Sequence, residues 1–169
     1  MMSTWLAFIL FTRVMSVNIS VDDASPSWTY TGLWRARGPG LLCSVCLENP
    51  DPNQAFDNTW HDTSDIYATA SITFSGISLS VYAILPVETS PTVNQYSFSL
   101  NGVASTPFSM NATGTYSYNT LIFSASPLNS RTNTTLSIGL TSQSTILLDY
   151  IIYDNGGSGV FRPPNLNTF

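Results

Sequence analysis

The run Ile146-Leu-Leu-Asp-Tyr-Ile-Ile-Tyr153 decides the fold. It is apolar on both faces except at Asp149. A strand with one wet face alternates apolar and polar residues, so an unbroken apolar run predicts a central strand covered on both sides. Working back from it, Leu136–Leu140 and Tyr116–Phe123 read as strands. Tyr96, Phe98 and Leu100 alternate with Ser97 and Ser99 ahead of Asn101-Gly102, the signature of a two-residue hairpin. Val103 to Phe108 returns as an edge strand because of Pro107. Ile77, Leu79, Val81, Ala83 and Leu85 form one apolar face, Ala70, Ile72 and Phe74 another. Trp28 and Tyr30 open a short strand; Val17, Ile19 and Val21 alternate with Asn18, Ser20 and Asp22 in the first. Arg35 to Gly40, with Gly-Pro-Gly, reads as loop, as does Glu88 to Asn94. No stretch has helical periodicity. Strands punctuated by turns every ~10 residues predict an all-β chain, an antiparallel β-sandwich of jelly-roll type.

Composition narrows the setting. The 169 residues fit a single domain with room for a core. Charged residues make up 9%, against a usual ~25%. Ser, Thr and Asn supply the polarity, as in extracellular β proteins. There is no lysine, and the five arginines (Arg13, Arg35, Arg37, Arg131, Arg162) form no cluster. With a net charge of −5, phosphate neutralisation and attraction to anionic lipid are both disfavoured, so no nucleic-acid partner is expected.

Met1–Ser16, MMSTWLAFILFTRVMS, reads as a secretory signal peptide: an apolar run from Trp5 to Phe11, then Val14 and Ser16 at the −3 and −1 places of a cleavage site. Seven apolar residues are too few for the ~20 of a membrane span. Asn18-Ile-Ser20, Asn111-Ala-Thr113 and Asn133-Thr-Thr135 are glycosylation sequons, of which Asn111 and Asn133 lie in turn-like stretches. The expected division is a leader over 1–16, a sandwich over 17–154, and a flexible Gly- and Pro-rich tail over 155–169 with no membrane span or lipid-anchor signal.

The rare residues gather in one irregular excursion, Cys43 to Asp62, CSVCLENPDPNQAFDNTWHD. It holds both cysteines and the single histidine, His61. An oxidising compartment favours a Cys43–Cys46 disulfide over a redox or zinc site, because a thioredoxin motif needs a helix N-terminus and zinc needs four ligands. A Ser-His-Asp site would need His61, and no Gly-x-Ser-x-Gly elbow accompanies it. Glu48, Asp51, Asp57, Asp62 and Glu88 are candidate glycosidase acids, with nothing in the sequence to select a pair. Aromatic rings stack on pyranose faces while Asn, Asp or Arg bond the hydroxyls. Trp60 with His61 and Asp62, or Trp28 and Trp34 with Arg35, are the candidate sugar platforms. Asp149 inside an apolar strand needs backbone donors, an arginine or a cation; with Asp22 and Asp23 it forms a candidate calcium set.

Four pieces, Val21-Asp-Asp23, Cys43-x-x-Cys46 with Pro50-Asp-Pro-x-x-Ala55, Thr59-Trp-His-Asp62, and Leu147-Leu-Asp-Tyr-Ile-Ile-Tyr153, resemble in order and spacing a family of secreted or membrane-anchored basidiomycete fungal ectodomains. The resemblance implies a galactose-binding-domain-like sandwich, the architecture of many carbohydrate-binding modules. It also implies that structural calcium, where present, is held by acids of the first and last strands, at Asp22, Asp23 and Asp149. Asp57-Asn58 departs from the glycine usual before the tetrad. The expected function is a secreted, non-catalytic module that binds glycans or cell-wall polysaccharide at a fungal cell surface. A structural or adhesion ectodomain without a small ligand, and a hydrolase using the loop acids, remain as alternatives.

Overall fold

The structure is a computed structural model that describes residues 15–41, 48–87, 93–111 and 114–157. Its strands are β1 (Asn18–Asp22), β2 (Trp28–Thr31), β3 (Arg35–Arg37), β4 (Trp60–Thr63), β5 (Thr69–Phe74), β6 (Ser78–Leu85), β7 (Val93–Leu100), β8 (Val103–Ala104), β9 (Phe108–Asn111), β10 (Ser117–Ala125), β11 (Thr134–Leu140) and β12 (Ile146–Asp154). They form two antiparallel sheets. In the first, the order is β10-β6-β12-β4-β3, with β1 beside the second half of β12. In the second it is β2-β5-β11-β7-β8, with β9 also on β7. The fold is therefore the antiparallel β-sandwich that the alternation predicts.

β12 is central. It pairs with β6 along one edge and with β4 and β1 along the other. Ile146, Leu148 and Ile151 face the inter-sheet core, where they meet Ala70, Ile72, Phe98, Leu136 and Ile138. Leu147 points the opposite way, as strand geometry requires. It joins Ile84 and Trp60 in a second apolar cluster on the outer face of the first sheet. That outer face explains why the run is apolar on both sides.

The segment 48–59 lies across it. Tyr116 and Tyr118 hydroxyls accept hydrogen bonds from the backbone N–H groups of Asn49 and Asp51, each at 2.7 Å. Asp51 caps a 3-10 turn over Pro52–Gln54. The Phe56 ring stacks on Tyr150 at 4.5 Å, and Tyr150 stacks on Tyr82 at 4.6 Å. This segment is thus a lid over an otherwise wet apolar sheet.

Several boundaries differ from the sequence expectation. Arg35–Gly40 is not all loop: Arg35–Arg37 is an edge strand on β4. The irregular excursion stops short of Trp60, because Trp-His-Asp-Thr pairs with the start of β12. The single return strand from Val103 splits into β8 and β9, with Pro107 in the break. β7 begins at Val93, inside the segment read as loop, and Asn111 ends β9. The Asn101-Gly102 hairpin is present, with φ values of 51° and 79°. Cys43 and Cys46, Glu88, the leader up to Val14 and the tail from Ser158 lie outside the described residues. Among the described residues no helix is long and apolar enough to cross a membrane.

Candidate functional site

The polar residues singled out in the sequence converge where β1 hands the chain to β2. Asp22 ends β1 in the first sheet, and the turn Asp23–Ser27 carries the chain to the second. Asp22 Oδ2 accepts from the Ala24 N–H at 3.2 Å, and Asp22 O accepts from the Ser25 N–H at 3.1 Å. The Trp28 indole N–H donates to Asp22 O at 3.0 Å and the Tyr30 hydroxyl to Asp23 O at 2.7 Å. Asp23 is wholly buried.

β4 supplies the other wall. Its neighbour Thr59 donates from Oγ1 to Asp23 Oδ1 at 2.8 Å and lies 3.1 Å from Asp22 Oδ2. His61 Nδ1 meets Asp23 Oδ2 at 2.5 Å, and its ring stacks on Tyr30 with centroids 4.2 Å apart and planes within 7°. One residue on, the chain alternates: Asp62 turns to Arg37, with Oδ1 at 3.2 Å from Nε and Oδ2 at 3.4 Å from Nη2.

The third carboxylate comes from a bulge. Leu148 pairs with Ala83 and Tyr150 with Tyr82, so Asp149 is the extra residue on β12. The bulge turns its side chain toward the lid, where Oδ1 accepts the Phe56 N–H at 2.9 Å. Its backbone carbonyl accepts the Asp23 N–H at 2.9 Å. Oδ2 is buried without a hydrogen-bond partner. Burial pushes Asp149 up to about 7; the Phe56 N–H opposes this, and the charges of Asp23 and Asp22 add to it. Burial and then the Asp23 charge push Asp22 up to about 6. Tyr30 is raised too, by burial first and then by the same two carboxylates.

Asp22, Asp23 and Asp149 are therefore neighbours, but they are not arranged as a calcium cage. Among the described residues no three His, Cys, Asp or Glu side chains converge on one point. Calcium needs six to eight oxygens. Here Thr59 and His61 occupy the two oxygens of Asp23, the Ala24 N–H is on Asp22 Oδ2, and Asp149 Oδ2 is a buried oxygen without a partner. As placed, the donors fit a self-satisfied hydrogen-bond cluster better than a cation.

The sugar platforms are corrected by burial. Trp60 is 1% exposed and packs on Ile84 and Leu147, so it has no open ring face. Asp62 is 5% exposed and held by Arg37. His61 is sandwiched between Tyr30 and Asp23. Trp34 is half-buried against the core and lies 5.2 Å from Tyr30. Only Arg35 is exposed. The candidate glycosidase acids are dispersed in role: Asp51 caps its turn, Glu48 accepts the Val87 N–H at 3.2 Å, and Asp57 is exposed. No site role is expected from the sequence for Thr59, Tyr30 or Phe56. Their signal is weak, since a hydroxyl, a ring and a backbone N–H become partners only through strand register. Asn18, Asn111 and Asn133 are exposed.

No protein-family profile and no curated protein sequence matches the chain. Among solved structures, it is similar to a family 35 carbohydrate binding module from Clostridium thermocellum, at 15% identity and a TM-score of 0.55, over 79% of this chain and 97% of the module. It is similar to an exo-β-1,3-galactanase from Phanerochaete chrysosporium in complex with galactose, at 16% identity and a TM-score of 0.52, over 80% of this chain and 29% of that one. A GH87 α-1,3-glucanase catalytic domain in complex with nigerose is matched at 13% identity and a TM-score of 0.49. The match covers 82% of this chain and 28% of that chain's length. The chain thus has the β-sandwich architecture found in carbohydrate-binding modules.

Proposed function

We propose that this chain is a non-catalytic carbohydrate-binding module that works outside the cell, at or near a fungal cell surface. The observation that carries the reading is the extent of the likeness. Nearly the whole of the family 35 carbohydrate binding module chain, 97% of it, is matched by 79% of this chain. Fold alone does not fix function, and composition supplies independent support. A surface rich in Ser, Thr and Asn, lacking lysine and carrying a net charge of −5, suits neutral polysaccharide better than nucleic acid or anionic membrane. The acid cluster has a structural task, joining β1, β4, β12 and the lid, which leaves ligand contact to the loops.

Secretion belongs to the same reading: residues 1–16 are the leader, Cys43 and Cys46 form a disulfide, Asn18, Asn111 and Asn133 are glycan acceptors, and 155–169 is a tail. An intact mass of the secreted protein starting at Val17, two hydrogens light and glycosylated, is the expected result.

The function itself is tested by pull-down of the folded chain on insoluble β-1,3-glucan, α-1,3-glucan, β-1,3-galactan and chitin. Retention on at least one polymer, unaffected by 0.5 M salt, is expected of a neutral-sugar binder; salt at about that level screens charge-driven adsorption. Retention on none ends the reading in favour of an adhesion or structural ectodomain.

A further inference from the structure

We infer that the sugar-contacting surface is the tip formed by the β2–β3 and β4–β5 loops, with Tyr67 as the stacking ring. The inference rests on the carbohydrate-binding reading and deepens it.

Tyr67 is 84% exposed, Leu33 67% and Ile66 45%, and all three stand on these two loops. The loops are fastened to each other through one carboxylate. Asp65 Oδ1 accepts the Tyr67 N–H at 2.9 Å, and Oδ2 accepts the Leu33 N–H at 3.2 Å. The Thr63 hydroxyl donates to the Leu33 carbonyl at 2.9 Å and accepts the Asp65 N–H at 3.1 Å. Gly32 closes the junction: it has φ of +81°, and a Cβ there would lie 2.7 Å from Ala68 Cα. An exposed tyrosine on so constrained a backbone has already met much of the ordering cost of binding.

The surroundings are hydroxyls. Thr31 and Thr69 share a hydrogen bond at 2.6 Å beside the tip, and Ser64 and Thr145 share one at 2.8 Å. Arg35 is exposed next along the chain from Leu33 and Trp34. A flat ring face with hydroxyls beside it, and an exposed arginine on the adjoining strand, suits a pyranose, which is apolar on a face and polar round its rim. Size argues against a protein partner. Three such side chains offer on the order of 400 Å², about half of the ~800 Å² per partner in a stable interface. The absence of lysine argues against a lipid surface, which recruits basic residues.

The test uses the polymer that the unsubstituted chain retains best in the pull-down. Tyr67→Ala is expected to weaken binding at least tenfold at unchanged melting temperature, and Tyr67→Phe to keep it within about threefold. Leu121→Ser changes an open cleft of about 450 Å³ beside Phe108 and Phe123, away from the tip, and is expected to leave binding intact. Undiminished binding by Tyr67→Ala, or loss in Leu121→Ser instead, overturns the tip assignment and leaves the carbohydrate-binding reading standing. Retention of no polymer by the unsubstituted chain overturns both.

Discussion

Asp149 is the residue through which pH acts on this fold. Its carboxyl is raised to about 7 when folded, chiefly by burial, and stands at 3.8 as a free side chain. Between those values the folded state holds the extra proton. Stability therefore falls as pH rises from about 4 to about 7, and flattens above. Asp22, raised to about 6, has the same sign over a narrower window. Asp51 and Asp154 are lowered and act below this range. The chain should be more stable at pH 5 than at pH 8 by about 2–3 kcal/mol. Asp149→Asn keeps an oxygen for the Phe56 N–H and cannot ionise, so it should remove most of the slope and raise the melting temperature at pH 8. Urea titrations of both proteins at the two pH values check this; a parallel slope in the variant rules Asp149 out as its source. Trp60 teaches a different lesson. Its place in a Thr-Trp-His-Asp loop motif suggests a binding ring, yet it fills the outer-face cluster. Trp60→Ala should cost about 3–5 kcal/mol, seen as a fall in urea midpoint, rather than a selective loss of binding.

At the scale of elements, what was legible in the sequence was whatever alternates. β5, β6, β7 and β11 each carry a clear apolar face, and β12 betrays its central place by having two. β4 was hidden because three of its four residues are His, Asp and Thr, of which Asp62 and Thr63 are buried; polarity normally means exposure. β3, Arg35-Ala36-Arg37, was hidden by the Gly-Pro-Gly that follows and by having one neighbour. The choice between Arg35 and Arg37 as partner of Asp62 depends on register: Arg35 is directly opposite, while Arg37 reaches diagonally. The junction of β5 with β6, where the chain changes sheet, carries its own prediction. Ile77 N–H donates to the Asp154 carbonyl at 2.7 Å, and a Cβ on Gly76 would stand 2.6 Å from that same oxygen. The obstacle is backbone at the end of β12 and cannot rotate away. Gly76→Ala should destabilise by about 1–3 kcal/mol, and hydrogen exchange should quicken first at Ile77 and along the β1–β12 pairing. Unchanged protection there would show that the junction has more freedom than its contacts indicate.

For the whole molecule, the question is what holds the lid, the first strand and the central strand in one unit. Two answers compete. In one, a cation bridges Asp22, Asp23 and Asp149, as the family resemblance implies. In the other, protein groups alone do so: Thr59 between the two adjacent carboxylates, His61 on Asp23, and the Phe56 N–H on Asp149. The second leaves Asp149 Oδ2 as a buried oxygen of the cluster without a partner, and a proton relieves it. The two differ in linkage. A ligand bound only by the folded state raises stability with its concentration, about 2.7 kcal/mol at a hundred times Kd, whereas a protonated self-bonded cluster responds to pH and not to calcium. Melting should therefore be unchanged, within about 1 °C, between 5 mM EDTA and 5 mM calcium at pH 8. A calcium-dependent rise of several degrees that vanishes in Asp149→Asn would make the cluster a metal site. It would also require Thr59 and His61 to give up the oxygens they now hold. Because the Tyr67 loops are fastened to each other by Asp65 and Thr63 rather than by the acid cluster, glycan binding should be equally indifferent to EDTA. A binding loss on chelation, with the fold intact, would tie the loop tip to an ion.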